Sequence, residues 1–236
     1  MWPECVACFL SYFPAPIQRA VYGLAGIGTR PMRFDVVSSL WVGYELTDPA
    51  PVLARLPPGL EVAAVRVFAD DPAERPMIFF NAFRVDATYF RGGRLEVATV
   101  VRDTATGTHH FVILEYLTDT VSSDPEHLFR RPDVSAMRFS DDALRCSTAG
   151  FSVVSRDTGE DALLDERFAV EANREIYYGT ARPHRPNVLE FDEKAVRRVR
   201  KIRTASVHND LWADARTAEP LVSFYYPGSV GFTIVP

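Results

Sequence analysis

Lysine is almost missing from this chain. Of its 26 basic residues, 24 are arginine and only Lys194 and Lys201 are lysine. A GC-rich coding bias accounts for such a skew without any functional cause, but the chemical consequence stands. A mechanism that needs a primary amine has two side chains to draw on, both in one late, highly charged stretch. A guanidinium stays protonated and does not replace an amine as a nucleophile. Cysteine is also scarce, with Cys5, Cys8 and Cys146. Cys5 and Cys8 have CxxC spacing, yet no second CxxC or HxxxH completes four zinc ligands, and no βαβ context supports a redox pair. Apolar residues of a terminal arm are the plainer reading. No apolar run approaches a membrane span, and the longest, such as FVIL at 111–114, stops after a few residues. The N-terminus MWPECVACFLSYF lacks a basic leading region and an Ala-x-Ala-like exit, so it does not read as a signal peptide. With few cysteines and no such signal, a cytoplasmic location is expected. No GxSxG, P-loop, GxGxxG or HExxH occurs, and the glycines at 23, 26 and 28 neither follow a strand nor open a helix.

What is present is a core. The 236 residues are 47% hydrophobic and 24% charged, which excludes wholesale disorder. The formal net charge of −5 speaks against a general nucleic-acid binder.

Residues 1–30 read as an arm. Ile17, Ala20, Val21 and Leu24 fall at i, i+3, i+4, i+7, one apolar face of a short helix, and the polar face offers only Arg19 as a cation, so docking on the protein is favoured over a membrane. Residues 31–236 read as one domain rich in strands. The spacing predicts strands over 34–44, 60–68, 77–87, 95–102 and 109–118, with a hairpin turn at 103–108. Asp48 caps a short helix that stops at Pro57-Pro58-Gly59. A second short helix is expected from Ser123-Asp124-Pro125-Glu126, before Pro132. Further strands are expected at 136–139, 143–148 and 151–155, and two pieces within 221–235. Segments 168–178 and 190–204 fit helix or strand equally: Glu190/Lys194 and Glu193/Arg197 would pair at i, i+4 on a helix, whereas a basic outward strand is the alternative. The expected class is α+β, a curved antiparallel sheet or barrel with a few short helices.

Several phrases carry a resemblance. Tyr44 to Val62 runs from a strand ending in tyrosine through a short helix to Leu56-Pro-Pro-Gly-Leu-Glu61 and the next strand. Arg94-Leu95-Glu96 opens a strand, a hairpin return spans 109–119, and Arg130-Arg131-Pro132-Asp133 precedes another strand. Ser206-Val-His208-Asn-Asp-Leu-Trp212 comes near the end. In order and spacing these resemble the acetoacetate decarboxylase-like superfamily, including its uncharacterised conserved branch, over residues 33–215. The resemblance implies a barrel-type fold, a small-molecule substrate and a possible homodimer, with no metal or cofactor. Members of that family form a Schiff base through a lysine whose pKa an adjacent lysine depresses. The matching place here is Arg130-Arg131, so this chain is expected to be a divergent member without that chemistry. Lys194 and Lys201 are the only other amines, within a run that reads as a solvated basic face.

The family's acidic residue maps onto Glu96. On a strand Glu96 shares a face with Ala98 and Val100, where a desolvated carboxyl would suit proton transfer; the plain alternative is a wet-face residue or a partner of Arg94 or Arg84. Asn81, in the apolar phrase Ile78 to Phe83, needs a hydrogen-bond partner and lines a cavity or serves structure. Arg130 and Arg131 would hold a carboxylate, phosphate or enolate, or sit solvated at a helix end. His109 and His110 flank a turn, where surface placement is common, and one of them faces inward if the strand is half buried. His208 and Trp212 line a pocket or form a core pair. Tyr44, Tyr89, Tyr116, Tyr177 and Tyr178 are possible hydroxyl donors that the sequence does not rank. Glu96, Arg130, Arg131 and Asn81 are thus the expected catalytic group, with Tyr44, His110, Tyr116, His208 and Trp212 binding substrate. Two functions fit: an enzyme acting on a keto, enol or polyketide-type intermediate without a Schiff base (cyclisation, dehydration, isomerisation or decarboxylation), or a binding module for an apolar small molecule on the same scaffold.

Overall fold

The structure is a computed structural model that describes residues 13–24, 31–56, 58–87, 91–118, 129–130, 138–140, 145–148, 150–178, 186–192 and 197–235. Helix α1 (Ala15–Leu24) precedes β1 (Met32–Glu45), and α2 (Ala50–Leu53) follows it. Next come β2 (Leu60–Val62), β3 (Ala64–Val65), β4 (Arg75–Ala87), β5 (Arg91–Asp103), β6 (His109–Thr118), β7 (Phe129–Arg130), β8 (Arg138–Ser140), β9 (Arg145–Thr148) and β10 (Phe151–Leu163). A π-helical turn (Arg167–Glu171) runs into α3 (Ala172–Arg174) and then β11 (Glu175–Tyr178). The chain ends with β12 (Asn187–Phe191), β13 (Arg198–Asn209), β14 (Val222–Tyr225) and β15 (Val230–Val235).

The strands close into a barrel. The ring runs β1–β4–β5–β6–β11–β12–β15 and back to β1. It is mixed, because β6 and β11 pair in parallel while the other ring contacts are antiparallel. The expected α+β barrel with few helices is thus present, with one parallel contact in an otherwise antiparallel ring. Closure removes the exposed edges that a long open sheet would present.

Strand β1 belongs to two layers. Met32 to Val36 pairs with β15, whereas Leu40 to Gly43 pairs with β14, from which the sheet continues through β13, β10, β9 and β8. Between the two halves the register against β4 shifts at Val36/Ser38, a bulge that re-aims the strand. The second layer folds over the outer barrel wall, where Phe80 of β4 stacks on Phe151 of β10 at 5.6 Å. Both rings are fully buried, and each stabilises the fold by roughly 1.5–3 kcal/mol. Leu40, Val42, Tyr44, Leu95 and Val97 join this outer core. The opposite face of the same strands carries Trp41, Phe79, Ala98, Val100 and Phe111, packed with Phe168 and Phe224.

Local chemistry explains the connections. Asp48 accepts the Ala50 N–H at 2.9 Å at the start of α2. Asp103 accepts the N–H groups of Ala105 and Thr106 at 2.7 and 3.1 Å, and Gly107 (φ 77°) closes the β5–β6 hairpin. Three sequence expectations are revised. Segment 60–68 is two short strands. Segment 168–178 is helical first and then extended, so its ambiguous pattern records two structures in succession. The described parts of 190–204 are extended, because the every-third apolar spacing of Val199 and Ile202 places them on opposite faces of β13, one against each core. Helix α1 forms and packs Val21 beside the cluster of Met32, Phe34 and Phe83, but Ile17 and Leu24 of its apolar face stay exposed. The expected helix at 123–126 lies outside the described residues, as do Cys5 and Cys8. Among the described residues no helix is long and apolar enough to cross a membrane.

Candidate active site

The barrel encloses a cavity of about 90 Å³, to which all seven ring strands contribute. Its wall is mainly apolar, with Phe83, Phe111, Ile113, Leu189 and Phe232 among the lining residues. Six polar side chains interrupt it: Ser39, Asn81, Arg94, Glu96, Asn173 and Tyr226.

Strand register sets the centre of this group. Trp41 stands opposite Asn81, Asn81 opposite Glu96, and Glu96 opposite Tyr116, so one row crosses β1, β4, β5 and β6. Directly opposed residues share a face, which places the row on the lumen side. Tyr116 reaches it through a bulge: Val97 pairs with Glu115 but Ala98 with Ile113, leaving Leu114 as the extra residue. Ile113 and Tyr116 therefore face the same side despite being three apart.

Glu96 is 9% exposed, and its Oε1 accepts from Arg94 Nη1 at 3.4 Å. Burial holds the carboxyl above its usual pKa, and the adjacent guanidinium partly offsets that. Arg94 is two residues from Glu96 on the same face, with its guanidinium 5.3 Å from the Tyr116 ring centroid and 5.8 Å from that of Phe83. Asn81 is held by a relay: the Trp41 indole Nε1–H donates to Ser39 Oγ at 3.0 Å, and the Ser39 hydroxyl donates to Asn81 Oδ1 at 2.9 Å. Burial raises the Tyr226 phenol well above its ordinary value, so it is a hydroxyl donor across the working pH range. Asn173 donates to the carbonyls of Phe168 and Ala169 at 3.4 and 3.1 Å, pinning the helical segment beside the cavity. A carboxyl, a guanidinium and a carboxamide in a water-poor chamber have the means to move a proton and stabilise the negative oxygen that results.

Other expected site residues lie elsewhere. Tyr44 is fully buried on the outer face, with the Arg216 guanidinium 3.9 Å from its ring centroid. His110 is buried at the hairpin end of β6, opposite Val101 of the outer core, with its Nε2 2.8 Å from Thr108 Oγ1 and its ring edge-on to Tyr177. His109 is buried too, its backbone N–H donating to Glu171 Oε1 at 2.8 Å. The turn is thus covered by the segment from Glu171 to Tyr177, and neither imidazole lines the cavity. His208 is exposed and lies 3.1 Å from Asp210. Trp212 adopts φ 57° and carries Arg55 over its ring at 4.7 Å. None of Tyr44, His110, His208 and Trp212 lines this cavity, and Tyr116, whose ring lies beneath the Arg94 guanidinium, is not among its lining residues either. The backbone of Arg130 pairs with Leu117, and Phe129 takes the position opposite Tyr116. Arg131 lies outside the described residues, as does Lys194. Lys201 Nζ lies 3.5 Å from Glu160 and 3.7 Å from Asp70, over the Phe68 ring, and does not line the cavity. Among the described residues no cluster of three His, Cys, Asp or Glu could hold a metal.

Sequence reasoning did not place Arg94, Ser39, Trp41 or Tyr226 in the site. Arg94 and Glu96 stand two apart on a strand, as do Ser39 and Trp41, and that spacing was the available signal. Nothing local marks Tyr226.

No family model matches the sequence, and no curated protein matches it. Solved structures do. The acetoacetate decarboxylase of Legionella pneumophila subsp. pneumophila str. Philadelphia 1 aligns with a TM-score of 0.52 at 12% identity, covering 87% of this chain and 85% of its own. The enduracididine biosynthesis enzyme MppR, with HEPES bound, aligns at 0.48 and 13% identity, covering 89% and 87%. An acetoacetate decarboxylase-like enzyme from Sphingomonas wittichii RW1 aligns at 0.45 and 13% identity, covering 88% and 92%. Together with the closed mixed barrel, the first of these alignments identifies the architecture: the chain has an acetoacetate decarboxylase-like fold.

Proposed function

We propose that the barrel cavity is the active site of an enzyme that acts on a small keto or enol compound by proton transfer and electrostatic stabilisation, without a Schiff base. The observation that carries this reading is the Glu96 carboxyl, buried in an apolar chamber, 3.4 Å from the Arg94 guanidinium and opposite Asn81. In its ionised form Glu96 takes a proton from the carbon next to the substrate carbonyl. The C–H electron pair forms a C=C bond, and the carbonyl π pair moves onto oxygen. Arg94 and the Asn81 amide lie where that oxygen's charge is stabilised. Protonated Glu96 then returns its proton, to carbon in an isomerisation or to a departing hydroxide in a dehydration. In a cyclisation the enolate carbon bonds to a second carbonyl carbon of the substrate and Glu96 gives its proton to the alkoxide formed. In a decarboxylation the enolate arises instead from the C–C pair left by departing CO2, and a protonated Glu96 delivers its proton to carbon.

Cavity size narrows the substrate. The cavity measures about 90 Å³. That suits a small oxo acid or ketone and not a polyketide chain.

The test is α-proton exchange of pyruvate and 2-oxobutanoate in D2O, followed by proton NMR. The wild type exchanges catalytically, and Glu96→Gln loses at least about a hundredfold, the scale of general-base catalysis. Exchange at the wild-type rate in Glu96→Gln removes the assignment. Thermal stabilisation by these ligands without exchange would make the protein a binding module.

A further inference from the structure

Resting on that reading, the geometry points to Ser39 as a positioning residue: its hydroxyl, anchored by the Trp41 indole, fixes which end of the Asn81 carboxamide faces the cavity and makes Asn81 a donor to the substrate oxygen.

Asn81 stands between two neighbours of opposite demand. On β1 the Ser39 hydroxyl lies 2.9 Å from its Oδ1, and on β5 the opposed residue is Glu96. A carboxamide has one acceptor end and one donor end, so its orientation decides what the chamber offers. Indole nitrogen only donates. Ser39 Oγ therefore accepts from Trp41 Nε1, at 3.0 Å, and has its own proton for Asn81 Oδ1. Oδ1 is engaged on the β1 side, and Nδ2 is turned away from Ser39. Its two N–H groups are then available to the Glu96 carboxylate before reaction and to an enolate oxygen during it. The reverse orientation would set an amide oxygen beside the carboxylate and repel the charge that the site must stabilise.

The relay starts from a fixed point. The Trp41 indole stacks on Phe224 at 5.8 Å with an 8° interplanar angle, and Phe79, Phe111 and Phe168 contact it from other sides. The Tyr226 N–H donates to the Ser39 carbonyl at 3.2 Å, which holds the serine backbone. Ser39, Trp41 and Asn81 are 6%, 9% and 9% exposed, so water competes little for these bonds.

Two readouts on the full-length chain test this. The first is the exchange assay with Ser39→Ala and Ser39→Thr beside Glu96→Gln. Ser39→Ala is expected to lower kcat about 10–100-fold while KM stays within about twofold, because the donor counts mainly against charge that develops in the transition state. Ser39→Thr keeps the hydroxyl and restores kcat to within about threefold. The second readout needs no turnover: the Nδ2 resonances of Asn81, in nitrogen-15 NMR, follow the titration of Glu96 in the wild type and cease to do so in Ser39→Ala. An unchanged kcat in Ser39→Ala, or Asn81 resonances blind to Glu96 in the wild type, overturns the positioning role. Wild-type exchange in Glu96→Gln, or no exchange by the wild type, defeats the proton-transfer reading instead, and the Asn81 resonances still decide the orientation.

Discussion

At the scale of single residues the cavity is governed by an acid held away from water beside one cation. The folded-state pKa of Glu96 lies above its unfolded value of about 4.3. The folded protein therefore binds that proton more tightly than the unfolded chain does. The resulting stability is fully present below about pH 4 and is lost as pH rises through the folded pKa. Glu96→Gln should accordingly gain stability relative to the wild type as pH rises above about 4.3, which urea denaturation at several pH values measures; a difference independent of pH would mean the carboxyl is not desolvated. Arg94→Met removes the cation. It should cost about 3–5 kcal/mol near neutral pH and less where Glu96 is protonated. Cys146 is 2% exposed and burial pushes its thiol up to about 12. It should resist iodoacetamide at pH 8 until the protein is unfolded, as peptide mass mapping would report. Glu96 and Asn81 were legible as lumen candidates because each alternates with outer-core residues along its strand. Tyr44 and His110 were not separable from them by the same rule. Their strands are buried on both faces, β6 along its whole length, and polarity alternation does not tell a lumen from an inter-sheet core. Tyr116 reached the lumen side through a bulge that no residue type announces.

At the scale of elements, the bulges in β1 and β6 decide which side chains the barrel presents. Both strands are long and apolar, so their existence was readable from β-branched and aromatic content, whereas the phase shift within them arises from pairing with distant strands. Gly43 shows how tightly β1 is packed between neighbours. A Cβ there would stand 2.7 Å from Val222 Cγ2 and 2.9 Å from Phe79 Cε1. Gly43→Ala should lose about 1–3 kcal/mol in chemical denaturation, as overpacking of a fixed site does. A neutral outcome would show that β1 and β14 separate easily. The segment 168–178 teaches a related lesson. Its apolar residues serve a helical turn first, with Phe168 in the aromatic cluster, and then a strand, with Ile176 on the cavity wall.

At the scale of the molecule, a barrel closed by seven strands carries a second layer on one flank, and the closure creates an apolar chamber whose polar contents come from β1, β4 and β5, from Asn173 of α3 and from Tyr226 just after β14. Order and spacing of phrases in the sequence anticipated this architecture, because strand lengths and turn chemistry are local properties. The parallel β6–β11 contact was not anticipated, since it joins segments with more than 50 residues between them. The scarcity of lysine acquires its meaning here. The one lysine among the described residues, Lys201, stands with Asp70 and Glu160 away from the cavity wall, and the chamber presents guanidinium, carboxyl and amide groups. Under the proposed function, carbonyl activation depends on hydrogen bonding and charge, with no imine. Borohydride reduction in the presence of pyruvate, read by intact-protein mass, tests that most directly. The account predicts an unchanged mass and undiminished exchange activity; a pyruvate-derived adduct on Lys194 or Lys201, accompanied by loss of activity, would contradict it.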